Sequence, residues 1–207
     1  MSMEIEFKWN ANVPRAFHKM QRAVFSACAS VLSVQNWKIT DVYLDTSARD
    51  FETQKIAFRV RGANQTWEAT FKTRTEIVNG KAVRREETLQ MPGVKSLAQA
   101  LEFLRRKKTW KGLFVDNLQP LFVLKNQRQT QAITWRHMQA ELAFDTCEIL
   151  VCGRRVHFKE IELEHKKGAA KNFEELAGQL TRASGLKEAQ ISKVKTALAL
   201  RTLWSEK

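Results

Sequence analysis

The sequence has few of the residues that cross-link or interrupt a chain: its 207 residues include three cysteines, three prolines and eight glycines. Cys28, Cys147 and Cys152 cannot all pair, and no Cys or His pair stands at zinc-ligand spacing, so we predict reduced cysteines and no zinc site. The scarcity of proline and glycine, without repeats or low-complexity tracts, predicts one continuous domain over 1–207.

Export and membrane signals are also missing. No run of 18 apolar residues is present, so we expect no membrane-spanning helix and no membrane partner. The first residues, Met1 to Glu6, have neither the basic nor the apolar segment of a secretion signal. These absences predict a cytoplasmic location, and the sequence leaves the oligomeric state open.

Several catalytic motifs are absent as well. Gly80-Lys81 has Thr75 and Ala82 where a phosphate-binding P-loop requires Gly and Ser or Thr. There is no Gly-x-Ser-x-Gly and no His-Glu-x-x-His, and the four histidines are scattered. These observations disfavour a P-loop nucleotidase, a serine hydrolase and a zinc protease.

Positive charge is in clear excess. Thirty-five Lys and Arg against 22 Asp and Glu give a formal net charge of +13, which attracts nucleic acid, acidic membranes or phosphorylated small molecules. A basic surface without a specific partner is the plain alternative. The six tryptophans fall mostly on apolar strand faces or in helices, which favours a core role over base stacking and disfavours nucleic acid. The run Arg105 to Lys108 is interpreted as a solvated helix end.

Two hydrophobic periods alternate along the chain. Period two predicts seven strands: Glu4–Trp9, Thr40–Leu44, Ala57–Arg61, Trp67–Lys72, Arg84–Met91, Ala140–Phe144 and Phe158–Glu164. The helical period predicts four helices: Pro14–Leu32, Ser96–Lys108, Asn172–Ala183 and Ser192–Trp204. Gly62 to Gln65, Asn79-Gly80 and Gly153 are predicted turns. Runs of strands interrupted by helices favour an α+β fold with an antiparallel sheet or barrel over a parallel sheet.

Charged residues concentrate on one face of these strands. Glu4, Glu6 and Lys8 oppose the apolar residues of the first strand, and Glu160, Glu162 and Glu164 oppose those of the last. A solvated outer face is the plain explanation for any one strand. Carboxylates at alternate positions repel each other, however, and such clusters bind hard cations through oxygen.

The charges also sort by strand. Acids dominate the first and last strands, and Arg or Lys dominate the middle ones, among them Arg59, Arg61, Lys72 and Arg84. In the fifth strand, Arg85 and Glu87 leave a second register open. A closed antiparallel barrel flanked by helices would bring the acidic strands together and set the basic ones opposite. Its lumen would then hold a divalent cation on one wall and a polyanion on the other, as metal-assisted phosphate chemistry requires.

These segments resemble, in order, the CYTH (triphosphate tunnel) superfamily, and most of all its bacterial inorganic triphosphatases. The segments that carry the resemblance are Glu4-Ile5-Glu6-Phe7-Lys8, Tyr43-Leu44-Asp45-Thr46, Phe58-Arg59-Val60-Arg61, Trp67 to Lys72, Arg84-x-Glu86, Gln119-Pro120-Leu121-Phe122 with Arg128, Glu141 to Asp145, Glu160-x-Glu162-x-Glu164 and Ser192-Lys193. They are spread over essentially the whole chain.

The resemblance implies a metal-dependent triphosphatase with Mg²⁺ or Mn²⁺ as cofactor and tripolyphosphate as substrate. The implied metal ligands are Glu4, Glu6, Asp145, Glu162 and Glu164. The implied phosphate-binding residues are Lys8, Arg59, Arg61, Lys72, Arg84, Arg128 and Lys193. Glu86 and Glu160 would orient the attacking water, because phosphoryl transfer is catalysed mainly by positioning and charge neutralisation.

Two alternatives remain open at this point. One is hydrolysis of an organic triphosphate, such as thiamine triphosphate or a nucleotide, or cyclisation of ATP, which would need a pocket for the organic group. The other is a polyphosphate or nucleic-acid binding protein without catalysis, drawing on the net positive charge.

Overall fold

The computed structural model describes residues 2–73, 76–107, 109–110, 113–114 and 118–205, and the side chain of Arg84 lies outside the described part. Within these ranges the strands are β1 (Ser2–Asn10), β2 (Ser30–Asp45), β3 (Ala57–Ala63), β4 (Thr66–Lys72), β5 (Glu76–Val78), β6 (Lys81–Gln90), β7 (Thr109–Trp110), β8 (Leu113–Phe114), β9 (Gln119–Trp135), β10 (Met138–Val151) and β11 (Arg154–Lys167). The helices are α1 (Ala16–Ser26), α2 (Asp50–Thr53), α3 (Leu97–Lys107), α4 (Ala170–Ser184) and α5 (Lys193–Ser205).

Eight strands close into a ring. Their order is β1-β11-β10-β9-β2-β3-β4-β6, and β6 pairs back with β1, so that neither β1 nor β6 is left as a free edge. The pairs are antiparallel, and β5 adds to β6 beyond the ring. This arrangement confirms the predicted α+β class with a closed antiparallel sheet flanked by helices.

The ring brings the strands together by charge as the sequence predicted. The acidic strands β1, β11 and β10 are neighbours, while β3 and β4, which carry Arg59, Arg61 and Lys72, lie across the ring from β11 and β10. Closure of the ring therefore creates one internal space that both the acidic and the basic strands face.

Apolar strand faces turn outward, against the helices. Trp9, Phe144 and Leu163 are buried with α1 and α4 in one cluster, and Trp9 Nε1 donates a hydrogen bond to Thr181 Oγ1 at 2.8 Å. Burying a large apolar side chain contributes roughly 1.5–3 kcal/mol. Because alternate residues face opposite ways, this outward packing directs Glu4, Glu6 and Lys8 into the ring.

The helix α5 packs against the far end of β10. Ala197 lies in an apolar cluster with Tyr43, Leu124 and Ile149, and Lys193 stands at the first position of the helix. Packing along β10 therefore carries the ammonium of Lys193 to the inside of the ring.

Tight turns with left-handed residues connect the hairpins. Asn79 and Gly80 have φ of 49° and 75°, and Cys152 and Gly153 have 48° and 73°, as the sequence predicted. The turn predicted over Gly62 to Gln65 is shorter: Gly62 stays in β3 opposite Trp67, and the turn contains Asn64 and Gln65.

The first predicted helix ends earlier than its sequence pattern suggested. It was predicted to continue to Leu32, but α1 ends at Ser26, Cys28 takes a left-handed φ of 55°, and β2 begins at Ser30. Val31 and Leu32 are 45% and 62% exposed, so these two apolar residues do not belong to the buried face of a helix. Backbone pairing between β2 and β9 outweighs local helix periodicity here.

Two strands are longer than predicted: β2 begins at Ser30, ten residues before the predicted Thr40, and β10 ends at Val151, seven residues after the predicted Phe144. Gly185 ends α4 in the left-handed conformation. Arg105 and Arg106 lie in the last turn of α3, with their side chains 71% and 79% exposed and both paired with Glu102. This confirms a solvated helix end for that part of the run, while Lys108 lies outside the described residues. Among the described helices, none has the length and apolar character that a membrane crossing requires.

Candidate active site

A cavity of about 960 Å³ occupies the inside of the ring. Charged side chains from nearly every ring strand and from α5 line it: Glu4, Lys8, Asp41, Arg59, Arg61, Glu68, Lys72, Glu86, Arg128, Glu141, Glu162, Glu164, Lys166, Lys193 and Lys195. Removing an ion from water costs several kcal/mol, so each buried charge requires an opposite charge close by.

Three carboxylates converge on one wall, and we call Asp145, Glu160 and Glu162 the carboxylate trio. Each offers an oxygen, and the three oxygens lie within 4.8 Å of one another. Asp145 and Glu160 are opposite partners on β10 and β11, and Glu162 is two residues further along the same face of β11. Adjacent strands thus produce the cluster, with no loop involved.

The ammonium of Lys193 lies among the carboxylate trio. Its Nζ is 3.0 Å from Asp145 Oδ2, 2.5 Å from Glu160 Oε1 and 2.7 Å from Glu162 Oε1. A single cationic centre therefore already contacts all three acids, which marks the position as one that favours a cation.

Two further cations complete this wall. Arg128 donates to both oxygens of Asp145, at 2.7 and 2.6 Å, and also binds Glu162. Lys8 binds Glu162 and lies 3.1 Å from Glu6 and 3.6 Å from Glu160. The sequence predicted a wall dominated by mutually repelling acids, whereas in the structure Lys8, Arg128 and Lys193 lie among those acids and offset the repulsion.

Protonation of the trio follows from this pattern. Burial acts to raise the pKa of Glu162, but Lys193, Lys8 and Arg128 outweigh it and hold that pKa well below the usual range. Glu160 has fewer cations beside it, so burial, together with the neighbouring Glu162 charge, raises its pKa despite Lys193 and Lys8. Lys193 and Arg128 also outweigh burial at Asp145 and lower its pKa, so Glu160 is the member of the trio that takes up a proton most readily.

Arg59 and Arg61 form a second group on β3, which we call the arginine pair. Arg61 donates from Nε and Nη2 to the two oxygens of Asp41 at 2.7 and 2.9 Å, and Arg59 Nη1 is 3.6 Å from the same carboxylate. Arg59 is only 7% exposed, and its Nε has no hydrogen-bond partner among the described residues. An unpaired guanidinium donor beside the cavity suits an anionic ligand.

The third group joins β4, β6 and β1. Lys72 Nζ is 2.6 Å from Glu86 and 3.6 Å from Glu4. Burial would raise the pKa of Glu86, but Lys72 and Arg59 outweigh it and lower the pKa to about 2. A carboxylate with so low a pKa is a weak base and is poorly suited to accept a proton from water. Its contact with Lys72 instead suits Glu86 to holding that lysine in place.

The structure brings most of the predicted site residues to one cavity. Lys8, Arg128 and Lys193, predicted as phosphate ligands, lie among the acids, whereas Arg59, Arg61 and Lys72 stand on β3 and β4. The predicted metal ligands do not all lie together. Asp145 and Glu162 cluster with Glu160. The other three contact lysines instead: Glu6 contacts Lys8, Glu4 lies near Lys72, and Glu164 pairs with Lys166 at 2.7 Å. Arg84 pairs with Glu4 through its backbone position, and its side chain lies outside the described residues.

Asp41 and Asn126 are among the residues of the cavity wall that sequence reasoning missed. Asp41 and Tyr43 are two residues apart on β2 and share one face, opposite Val42 and Leu44. The period-two pattern of that strand could therefore have placed Asp41 on the charged face. Asn126 stands on β9, which the sequence did not predict as a strand. It is 5% exposed, and its Oδ1 has no hydrogen-bond partner among the described residues.

The carboxylate trio suits a divalent cation. Clustered carboxylate oxygens are the ligands that Mg²⁺ and Mn²⁺ prefer, and this site offers no sulfur or imidazole among the three. Lys193 would have to move aside, because its Nζ contacts all three carboxylates.

Comparison with known proteins identifies a family and a fold. A family model described as the CYTH domain matches residues 2–198. An inorganic triphosphatase of Haemophilus influenzae is 27% identical over 139 residues, which are 67% of this chain and 39% of that protein. The chain thus spans about two fifths of the length of that relative.

Solved structures share the fold across nearly the whole chain. A Hippeastrum adenylyl cyclase candidate with a dominant triphosphatase activity superposes with a TM-score of 0.70 at 19% identity, covering 96% of both chains. A Pyrococcus horikoshii protein gives 0.60 at 18% identity, over 96% of this chain and 99% of its own. The mimivirus capping-enzyme triphosphatase gives 0.56 at 11%, over 88% and 90%. At such identities these structures establish the fold, and the family model, which spans nearly all residues, establishes more: the chain belongs to the CYTH domain family.

Proposed function

We propose that this protein hydrolyses inorganic triphosphate, with Mg²⁺ or Mn²⁺ as cofactor. The observation that carries the proposal is that one cavity is lined both by Glu162, a member of the carboxylate trio, and by the arginine pair. Hydrolysis of a phosphoric anhydride requires neutralisation of phosphoryl oxygens by a metal and by cationic side chains at once. Either group alone would support only binding.

The shape of the site favours a small polyanion. A ring of eight strands encloses enough room for side chains or one small ligand. The cavity of about 960 Å³ fits a triphosphate chain, and its wall carries charges from all sides. A nucleic-acid duplex is too wide to enter such a ring, so the net charge of +13 alone is a weaker argument for a polymer ligand.

The proposed roles follow from position. Arg59, Arg61 and Lys72 bind the phosphates from one side, with Lys8, Arg128, Lys193 and Arg84 as further phosphate ligands. Asp145 and Glu162 hold the ion, with Glu4 and Glu6 on the adjacent strand β1 and Glu164 on β11 as further acidic partners. When bound, the ion neutralises charge on the phosphoryl oxygens. Glu160 orients the attacking water, because it lies beside Asp145 and Glu162, and Glu86 acts chiefly by holding Lys72.

A second candidate function is hydrolysis of an organic triphosphate. It is favoured by an apolar part of the cavity wall, where Leu124, Val194 and Leu198 cluster with Tyr43. Such a surface suits a base or another ring attached to the triphosphate. Inorganic triphosphate leads because the charged groups outnumber these apolar ones.

A substrate panel separates the two candidates. Tripolyphosphate, ATP and thiamine triphosphate would be incubated with the protein with and without Mg²⁺ or Mn²⁺, and phosphate release measured. We expect the highest kcat/KM for tripolyphosphate. Preference for an organic triphosphate would select the second candidate, and binding without hydrolysis of any of the three would reject both.

Truncation of the arginine pair should impair catalysis strongly. We expect Arg59→Ala or Arg61→Ala to lower kcat/KM at least tenfold, about 1.4 kcal/mol, because each variant removes a shielded charge that faces phosphate. Steady-state kinetics with tripolyphosphate and a melting curve for each variant would test this.

The matched control reverses two exposed charges. Arg105→Glu with Arg106→Glu removes the same kind of side chain from the solvated end of α3, and kcat/KM should stay within about twofold. Equal losses from both sets would indicate a non-specific attraction for polyanions and contradict a lumen site.

A further inference from the structure

Asp41 is an acid within the basic side of the cavity. It stands on β2, is 1% exposed, and lines the cavity between the two strands that carry Leu124 and Arg61. No substrate phosphate can gain from a carboxylate at this position, because like charges repel. A buried acid among phosphate-binding arginines therefore requires another explanation.

The contacts of Asp41 supply one. Both of its oxygens accept from Arg61, which fixes the plane of that guanidinium, and its Oδ2 lies 3.6 Å from Arg59 Nη1. A bidentate pair restrains orientation as well as charge. Arg61 uses Nε and Nη2 for Asp41, so Nη1 stays available to a ligand in the cavity.

The environment keeps Asp41 ionised. Burial acts to raise its pKa, but Arg59 and Arg61, with Lys72 further off, outweigh burial and lower it to about 2. The charged groups that face Asp41 are mainly cations, and at neutral pH Asp41 is ionised.

We propose that Asp41 is a positioning residue, which aligns the arginine pair for a phosphoryl group in the transition state. This inference rests on the proposed function. Aligned donors contribute more to catalysis than mobile ones, because orientation is settled before the reaction. Asp41 acts through Arg59 and Arg61 and does not itself touch substrate.

Alignment and simple neutralisation predict opposite results for Asp41→Asn. This variant keeps the shape but adds one net positive charge to the cavity. We expect kcat for tripolyphosphate to fall at least tenfold, while metal-free affinity for tripolyphosphate, measured by calorimetry, stays equal or rises. Wild-type kcat in this variant would overturn the proposal, since Asp41 would then serve only to neutralise charge.

A second variant covers the case in which Asp41→Asn fails to fold. Asp41→Glu keeps the charge but displaces the carboxylate by one methylene, and the cavity beside it has room for the longer chain. We expect metal-free affinity near wild type and kcat again reduced at least tenfold. Full kcat here would likewise overturn the proposal.

A double-mutant cycle tests whether Asp41 acts through Arg61. In an Arg61→Ala background, Asp41→Asn should reduce kcat less than threefold further, because the group that it aligns is gone. Additive losses would show an independent role and overturn the proposal. Glu148→Gln is the matched control: Glu148 also pairs with basic residues on a ring strand, lies outside the cavity lining, and should leave kcat unchanged.

The cycle also separates this inference from the proposed function. If wild-type protein hydrolysed no triphosphate, the proposed function would fail on its own. Asp41 would then be tested through the Nε–H NMR signals of Arg59 and Arg61. Slow, dispersed signals in wild type that average in Asp41→Asn would support alignment, and unchanged signals would overturn it.

Discussion

Replacing Glu162 by glutamine is expected to reduce turnover of tripolyphosphate at least about 100-fold, equivalent to about 2.7 kcal/mol of transition-state stabilisation. Glu162 contacts Lys8, Arg128 and Lys193 and supplies one oxygen of the carboxylate trio. Glutamine keeps the shape and removes the charge, so both ion affinity and the placement of three cations should suffer. Steady-state kinetics with a Mg²⁺ titration would measure both effects.

The same variant should also lose stability. Repulsion among acids, considered from sequence alone, predicts that removing one charge leaves the metal-free fold equally stable or more stable. The three cations around Glu162 reverse that expectation, since breaking a buried ion pair costs about 3–5 kcal/mol. Chemical denaturation of the metal-free protein would show whether Glu162→Gln lowers or raises the free energy of unfolding.

The control for Glu162 is an exposed acid with one basic partner. Glu174→Gln removes the ion pair of Glu174 with Lys81 on the surface and should leave turnover and stability almost unchanged. Wild-type turnover with wild-type Mg²⁺ dependence in Glu162→Gln would remove Glu162 from the site. It would also contradict the proposed role of the carboxylate trio.

Removal of divalent ions should abolish hydrolysis altogether. The lumen cations can bind a triphosphate without metal, but we expect phosphate release to fall to background after chelation and to return when Mg²⁺ or Mn²⁺ is added in excess. The physical reason is that charge on the reacting phosphoryl oxygens is then neutralised from one side only. A phosphate-release assay on chelated and reconstituted protein measures this.

Thermal melting gives a readout independent of activity. At an ion concentration of about 100 times Kd, binding contributes roughly 2.7 kcal/mol, or a rise in Tm of roughly 5–10 °C for a chain of this size. Glu162→Gln should reduce that rise, whereas Glu174→Gln should not. Full activity after thorough chelation, or an unchanged melting curve with added ion, would contradict a metal-dependent mechanism.

The pairing of charges inside the ring explains how so many can be buried. The carboxylate trio is surrounded by Lys8, Arg128 and Lys193, and Asp41 by the arginine pair. Charges buried without such partners would cost several kcal/mol each. Because a charged side chain such as Glu162 has several partners of opposite charge, a bound ligand can replace one of those partners while the others stay in contact with it.

Strands with one apolar and one charged face were predictable from sequence. β1, β3, β4 and β11 alternate because one face packs on other apolar residues and the other faces the lumen, so period two is strong there. The segment resemblance also pointed to the CYTH family, which the family model confirms. Which charged residues share one face of these strands followed from alternation alone. That this face points into the ring depends on ring closure.

Strands with two polar faces were not predictable in this way. From Lys125 to Gln131, β9 carries seven polar residues in succession, since Asn126 and Thr130 are buried toward the ring while Lys125 and Gln127 are exposed. Without contrast between faces the period-two signal vanishes. The strand exists because β10 and β2 bind its backbone on both sides, which no local pattern records.

The sequence by itself thus determined the alternating strands, the sorting of acids and bases among them, and the residues that share a charged face. Only ring closure decided which charges meet: that Lys193 reaches three carboxylates from a helix, that Arg128 pairs with Asp145, and that Asp41 holds the arginine pair. The reason is physical. Facing of a side chain is set by its own strand, whereas contact depends on strand order, register and helix docking, which come from backbone and apolar interactions far along the chain.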